Sequence, residues 1–307
     1  MNFKHLTESV GPFLTIIVPA YNEPESGAKT AASLLETVKS FEDPAEIIFI
    51  DDGSTDSTYA ELVRIKGIRV LRHVTNRGYG AALKTGILAS TSEWIAITDA
   101  DSTYPIERIA HLLKMAREDG LEMAIGARIG PNVHIPMVRR PVKWIITKLA
   151  SFLSGRRIPD LNSGFRVFRR ESAIEYLDIL PDGFSFTSTI TIAFISNGYM
   201  IDYLPIDYHK RTGRSKIRPI HDTLNFMQLI VRMVMYFNPL RVFLPISLSF
   251  FALSLAAVIY RAYHGGLAVV SIVFFIAGVQ MLSIGMIADL IDQRIRLRRN
   301  KRRNPIE

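Results

Sequence analysis

Ile95-Ala96-Ile97-Thr98-Asp99-Ala100-Asp101 is an apolar run that stops abruptly in two carboxylates one residue apart. The run reads as a buried strand, and side chains at i and i+2 of a strand share a face. Open α/β sheets bind their ligands at the carboxyl ends of the strands. Two hard oxygen ligands in that place suit Mg²⁺ or Mn²⁺ bridging a substrate's phosphates.

Upstream, Leu14–Pro19 has the short, β-branched, apolar composition of a buried strand, and Pro19–Pro24 ends it with turn chemistry. Helical spacing follows over 29–41. A second strand, Glu46–Ile50, runs into Asp51-Asp52-Gly53-Ser54-Thr55-Asp56, where glycine permits a turn and Ser54 or Thr55 can cap a helix starting near Ser57. Ile68–Arg72 is a third strand, and Asn76–Gly80 is a glycine turn into a helix over 81–90. Beyond the carboxylate pair the pattern predicts a helix over 106–118 and a strand over 122–126 that leads to Arg128. Strands alternating with helices indicate an α/β fold, a mostly parallel sheet covered on both faces. Tyr21-Asn22-Glu23, Asp51-Asp52 and Asp99-Ala100-Asp101 then open on one rim. A strand-end carboxylate can bind ribose hydroxyls and a metal can neutralise a diphosphate. The result is a nucleotide site without a Walker loop or G-x-G-x-x-G, neither of which the chain contains.

With 307 residues the chain has room for one large domain and something smaller. The absence of cysteine excludes a disulfide framework, a thiolate metal site and a cysteine nucleophile. Lys+Arg of 37 against Asp+Glu of 29 leaves +8, a balance that favours phosphorylated substrates, anionic lipid or nucleic acid. Val242–Tyr260 and Gly265–Ala288 are uncharged runs close to the ~20 residues of a spanning helix. They read as a membrane hairpin over 241–290, with spans 242–262 and 266–289. The basic block within 291–307 becomes a cytoplasmic tail by the positive-inside rule. Two crossings return the N-terminal domain to the cytoplasmic side of the cell membrane. Beside a span, the basic block has anionic headgroups as its simplest partner, so no nucleic acid is expected. Met1–Gly11 has no apolar h-region, so no cleaved signal peptide is expected. Arg139–Leu153 interleaves cations with Trp144, Ile145, Ile146, Leu149, Phe152 and Leu153, the pattern of an interfacial amphipathic helix over 138–155. A second interfacial stretch, His221–Tyr236, falls within a linker over 219–240.

Val18–Glu23, Asp51–Asp56, Asn76–Lys84 and Asp99–Asp101 together resemble the motifs of inverting family-two glycosyltransferases of the GT-A fold, a Rossmann-like sheet. The downstream half resembles the polyprenyl-phosphate branch, whose best known member is dolichol-phosphate mannose synthase; the likeness covers most of residues 14–240. It implies a GT-A catalytic domain over 1–218, with Pro19, Ala20, Tyr21, Glu23, Asp51, Asp52 and Lys84 around the nucleotide. Asp99, Ala100 and Asp101 would carry the donor diphosphate, with Asp99 and Asp101 on Mg²⁺ or Mn²⁺. Ser163 and Gly164, within Asn162–Phe168, match a turn that lines the sugar pocket in relatives. Asp160 falls where inverting enzymes often have an acidic residue, for orientation or base work. Arg211–Lys216 resembles a basic glycine loop that closes over phosphates, which makes Arg211 a catalytic candidate. Arg128, Arg139, Arg140, Ser215 and Lys216 join it as acceptor-phosphate contacts. Some members have Gln where this chain has Thr103, so a third metal ligand there lacks support. The implied reaction moves a hexose from a UDP-hexose or GDP-mannose to a polyprenyl phosphate with inversion, at a membrane where the hairpin has scope to self-associate. A polysaccharide synthase with a hydroxyl acceptor would carry Gln-x-x-Arg-Trp, whereas this chain has Gln228 and Arg232 followed by Met233. A non-catalytic sugar-nucleotide scaffold would not need the intact aspartate pair.

Overall fold

The structure, a computed structural model, describes residues 12–133, 148, 151–152, 155, 157–208, 235, 239–265 and 268–303. The chain divides into two compact units, 1–147 with 158–223 and 148–157 with 224–307.

In the first unit the order is β1 (Leu14–Ala20), α1 (Pro24–Val38), β2 (Ala45–Asp51), α2 (Thr58–Val63), β3 (Arg69–Arg72), α3 (Tyr79–Ala89) and β4 (Trp94–Ile97). A 3₁₀ turn, Ile106–Arg108, leads into α4 (Ile109–Glu118), β5 (Met123–Val133), β6 (Arg166–Arg169), α5 (Arg170–Ile174), α6 (Phe186–Ser196) and β7 (Ile201–Tyr208). Among the described residues these strands form one sheet in the order β3-β2-β1-β4-β6-β5-β7. β1, β2, β3 and β4 pair in parallel, as do β5 and β7, so the sheet is mostly parallel as the sequence predicts. β6 is the exception, antiparallel to β4 on one side and β5 on the other. The sequence reading takes 162–168 as a turn, whereas its second half is a strand because Val167 and Phe168 bury completely between β4 and β5. The inner strands are almost unbroken apolar runs, as sheets covered on both faces require. Leu14, Ile16, Val18, Phe49, Trp94, Ala96, Phe165 and Val167 share one core cluster with α1 and α4.

Two helix starts differ from the sequence expectation. α1 begins at Pro24 rather than near 29, with proline in the first turn, where its missing N–H costs nothing. The start of α2 is capped by neither Ser54 nor Thr55. Asp56 Oδ1 accepts from Thr58 N at 2.9 Å, while Ser54 Oγ accepts from Asn22 N at 3.0 Å and Thr55 N donates to Asn22 Oδ1 at 2.9 Å. These residues therefore stitch the β1 and β2 loops together, with Asn22 in the left-handed region at φ 53°.

The second unit contains α7 (Leu240–His264) and α8 (Ala268–Arg303). Ser247 Oγ donates to Gly278 O and Ser254 Oγ to Ser271 O, both at 2.8 Å. A methyl at Gly278 would lie 2.7 Å from Phe251 and one at Gly285 2.7 Å from Phe243, so glycine makes room for the phenylalanine side chains of the facing helix. Leu248, Leu255, Ile272 and Ile287 face outward. Both helices, Leu240–His264 and Val269–Ile291, have the length and composition to cross a bilayer. The expected tail is not a separate element: α8 continues through it to Arg303. Its 36 residues span roughly 54 Å at ~1.5 Å each, well beyond a ~30 Å hydrocarbon core. Of the expected interfacial helix 138–155 only Lys148, Ser151, Phe152 and Gly155 are described, with Lys148 and Phe152 exposed. Of 219–240 only Met235, Pro239 and Leu240 are described; the rest of both stretches lies outside the described residues.

Trp94, 1 % exposed with Arg169 4.7 Å above its ring, anchors the β4 edge of the core. Trp94→Ala should destabilise this unit by about 3–5 kcal/mol, read as a lower urea midpoint in far-UV circular dichroism.

Candidate active site

Strand direction decides which side chains meet. The carboxyl ends of β1, β2 and β4 share one edge because these strands are parallel neighbours. β6 runs against β4, so its beginning, with Ser163 and Gly164 just before it, reaches the same edge. β5 runs against β6 and with β7, which brings Arg128 and Tyr208 there too. Pro19 and Ala20 close β1, Tyr21 and Glu23 lie in the loop after it, and Asp51 closes β2.

The two acidic pairs have different surroundings. Asp51 is fully buried and pairs with Arg72 Nε at 3.0 Å. Asp52 Oδ1 accepts from Arg77 N at 2.9 Å and contacts His73 Nδ1 at 2.6 Å, while Oδ2 accepts from Gly78 N at 2.8 Å. Asp52 thus ties the glycine turn to the end of β2. Gly53, at φ 71°, is needed there because a methyl would meet the Thr75–Asn76 backbone within 2.8 Å. Lys84 does not project freely into the site: its Nζ is 2.7 Å from Asp182 Oδ1.

Asp99 and Asp101 follow β4, each with one oxygen held by a hydroxyl. Tyr79 Oη donates to Asp99 Oδ1 at 3.0 Å. Thr103 donates to Asp101 Oδ1 through N at 3.2 Å and Oγ1 at 2.6 Å. Ser102, at φ 56°, makes the bend between Asp101 and Thr103. Thr30 Oγ1, on α1, donates to Ala100 O at 3.1 Å. Gly164 closes the floor: a methyl there would lie 3.0 and 3.2 Å from the two Asp99 oxygens and 2.9 Å from Tyr79 Oη. The donor set fits a hard divalent cation. Mg²⁺ is commonly held by one or two carboxylates plus substrate phosphates and water, and no group of three or more His, Cys, Asp or Glu occurs among the described residues. Burial, then the Asp99 charge, raises the Tyr79 hydroxyl well above its ordinary pKa, so Tyr79 remains a donor.

Asp160 is 1 % exposed and bidentate with Arg128, Oδ2 to Nε at 2.7 Å and Oδ1 to Nη2 at 2.9 Å. It also accepts from Arg128 N at 3.1 Å and Asn162 N at 3.3 Å. A carboxylate so engaged is suited to orientation rather than to base work. Burial alone would lower the Arg128 guanidinium, but Tyr104 and Asp160 outweigh it and hold it well above its usual range. Arg128 also lies 5.4 Å over the Tyr208 ring.

Three residues here were not singled out by sequence. Tyr104 Oη accepts from Gly164 N at 2.9 Å and stacks on Phe165 at 5.3 Å. Arg166 is fully buried, donating to Ser163 O, to Thr187 O at 3.0 Å and to Thr191 Oγ1 at 2.9 Å. Burial lowers its pKa, opposed by Tyr79, Tyr203 and Tyr104. Tyr79 is within a quoted motif, but its side chain had no assigned task. Arg139, Arg140, Arg211, Ser215 and Lys216 lie outside the described residues.

The sequence matches glycosyl transferase family 2 over residues 15–177 and the GtrB C-terminal hairpin over 238–293. It is 30% identical to the dolichyl-phosphate hexose transferase of Haloferax volcanii, over 70% of this chain and 90% of that protein. It is 29% identical to the polyprenol monophosphomannose synthase of Mycolicibacterium smegmatis, over 66% of this chain and 80% of that protein. In fold it resembles the glucosyl-3-phosphoglycerate synthase of Mycobacterium tuberculosis solved with Mn²⁺, UDP and phosphoglyceric acid. The TM-score is 0.55 at 19% identity, covering 75% of this chain and 78% of that one.

Asp160→Asn should destabilise the unit by about 3–5 kcal/mol, because it strands a largely buried guanidinium. Asp160→Asn with Arg128→Met should recover most of that loss. Urea unfolding of the three proteins checks both, and a single variant as stable as the parent would remove the pair from the framework.

Proposed function

Because the chain belongs to glycosyl transferase family 2, we propose that it is a membrane-associated inverting hexosyltransferase with a nucleotide-sugar donor and a polyprenyl-phosphate acceptor. The observation that carries the acceptor class is the Asp160–Arg128 pair. A sugar hydroxyl must lose a proton as it attacks and needs a base. Asp160, the acidic residue in that place, is committed to an ion pair. A lipid phosphate arrives already anionic and needs only positioning and relief of charge repulsion. The similarity to a dolichyl-phosphate hexose transferase and the match to a GtrB hairpin support the same acceptor.

In the proposed reaction an acceptor phosphate oxygen attacks the anomeric carbon. The bond from that carbon to the donor diphosphate breaks, its electron pair leaves with the nucleoside diphosphate, and the configuration inverts. Asp99 and Asp101 would hold Mg²⁺ or Mn²⁺, which when bound neutralises the leaving diphosphate. Asp51, Asp52 and the Tyr21–Glu23 loop would line the base and ribose, and Ser163 and Gly164 the sugar. Asp160 would orient Arg128. Arg139, Arg140, Arg211, Ser215 and Lys216 are the proposed contacts for the acceptor phosphate, with Arg211 and Lys216 on a loop that closes over it. The proposed orientation puts the sheet domain in the cytoplasm, with α7 and α8 crossing the membrane and the basic end of α8 on the same side.

Purified protein with Mn²⁺ or Mg²⁺, undecaprenyl or dolichyl phosphate and a panel of UDP- and GDP-sugars should yield one glycosylated lipid phosphate, identified by mass spectrometry. Asp101→Ala should lower kcat on the order of 100-fold or more without altering the circular dichroism spectrum. Hydrogen bonds to charged groups contribute about 1.5–3 kcal/mol, so Arg211→Ala should raise the KM for lipid phosphate roughly tenfold or more. An unchanged acceptor KM would remove the loop from the acceptor site.

A further inference from the structure

We propose that Tyr79 is a positioning residue, whose hydroxyl fixes the Asp99 carboxylate in the orientation that receives the divalent ion of the donor diphosphate. This deepens the metal reading of the Asp99–Asp101 pair and rests on it.

Tyr79 opens α3 directly after Gly78, whose φ of 102° turns the chain at the rim. That turn is fixed from two sides. Asp52 takes the N–H groups of Arg77 and Gly78, and Ala81 N donates to Asp182 O at 3.0 Å from the loop before α6. The Pro181–Gly183 backbone approaches so closely that side chains at Gly78 or Gly80 would clash with it. The same loop supplies Phe184, which stacks on the Tyr79 ring at 5.6 Å and 19°. The ring is clamped, and its hydroxyl is aimed at Asp99 Oδ1.

The other side of that carboxylate is bounded by Gly164, which leaves no room for a methyl. Asp99 is thus confined between the Tyr79 hydroxyl and a bare backbone. Asp101 is held in its turn by Thr103, which donates to it through N and Oγ1. Each carboxylate of the pair is oriented by a hydroxyl from this chain before any ion arrives. Groups of this kind hold ligating carboxylates in place, and their removal typically costs about 10–100-fold in metal affinity.

The test is Tyr79→Phe in the full-length protein in detergent, which keeps the ring and its stack on Phe184. Mn²⁺ binding is followed by electron paramagnetic resonance with UDP and, in a parallel arm, GDP, and thermal unfolding is followed without metal. The expected result is a Kd for Mn²⁺ about 10–100-fold higher with an unchanged metal-free melting temperature. Unchanged Mn²⁺ affinity overturns the inference. A fall in melting temperature alongside the lost affinity marks Tyr79 as a fold residue and overturns it too. Asp101→Ala separates the two levels. If the parent binds no Mn²⁺ with either nucleotide, or Asp101→Ala binds it as well as the parent does, the metal reading itself fails.

Discussion

The site depends on one strand running the wrong way. β6 enters the sheet antiparallel between β4 and β5, and this sends the Ser163–Gly164 turn to the edge where β1, β2 and β4 end. A parallel strand in that slot would begin at the opposite edge, and Asp99 would face empty space or a bulkier residue. The reversal also keeps β5 pointing towards the rim, which delivers Arg128 and, through β7, Tyr208. The register Ile97↔Arg166 sets the start of β6 beside the last residue of β4, two positions before Asp99. Gly164 then needs no side chain, and there is no room for one.

Concentrating carboxylates on one edge is costly, and the fold offsets this in two ways. Some acids are consumed as structure. Asp52 is bonded to two backbone N–H groups and His73, and Asp160 to Arg128. Others are aimed by hydroxyls that cannot take up the negative charge, Tyr79 on Asp99 and Thr103 on Asp101. Burial keeps the tyrosine protonated and the hydrogen bond one-directional. The acidic residues thus divide into those that hold the loops and those that are left, as proposed, to meet a ligand.

This division was only partly legible in the sequence. Strand identity and the shared rim were, because Leu14–Ala20, Ala45–Asp51 and Trp94–Ile97 are short β-branched runs that end in polar turns. The membrane hairpin was legible in its length without charge, although the last turns of α8 were hidden by their basic composition. β6 was not. Gly-Phe-Arg-Val-Phe offers a turn residue, then a charge at the first position of a four-residue strand, and a charged residue there reads as facing solvent. Arg166 is instead buried, because Ser163 O, Thr187 O and Thr191 Oγ1 satisfy its donors and the apolar α6 covers it. Those acceptors are distant in sequence or are main-chain atoms, and neither kind leaves a composition signal. Tyr79 was hidden for a related reason. An aromatic between two glycines looks like a packing residue, and only the arrival of Asp99 from another strand gives its hydroxyl a task.

The charge balance at the rim follows from these placements. Two unit anions 4 Å apart repel by about 4 kcal/mol at an effective dielectric near 20, so an acceptor phosphate approaching a donor diphosphate needs cations nearby. Arg128 contributes little net charge because Asp160 neutralises it locally. Arg166 donates its hydrogen bonds to carbonyls, a hydroxyl and a thioether, so its charge is not cancelled by a bonded carboxylate. It lies in low dielectric on the strand that carries Gly164 to Asp99, where a fixed positive charge acts with little screening. One guanidinium offsets only part of the negative charge that donor and acceptor would bring together. The remainder would fall to a divalent ion on the aspartate pair, as proposed, and to the proposed cations of 139–140 and 211–216. A buried arginine cannot follow a substrate in and out, whereas the cations proposed at 211–216 would be able to arrive with the acceptor phosphate. The permanent charge would then prepare the donor pocket and the loop charges would admit the lipid phosphate, so repulsion is relieved only when both substrates are in place.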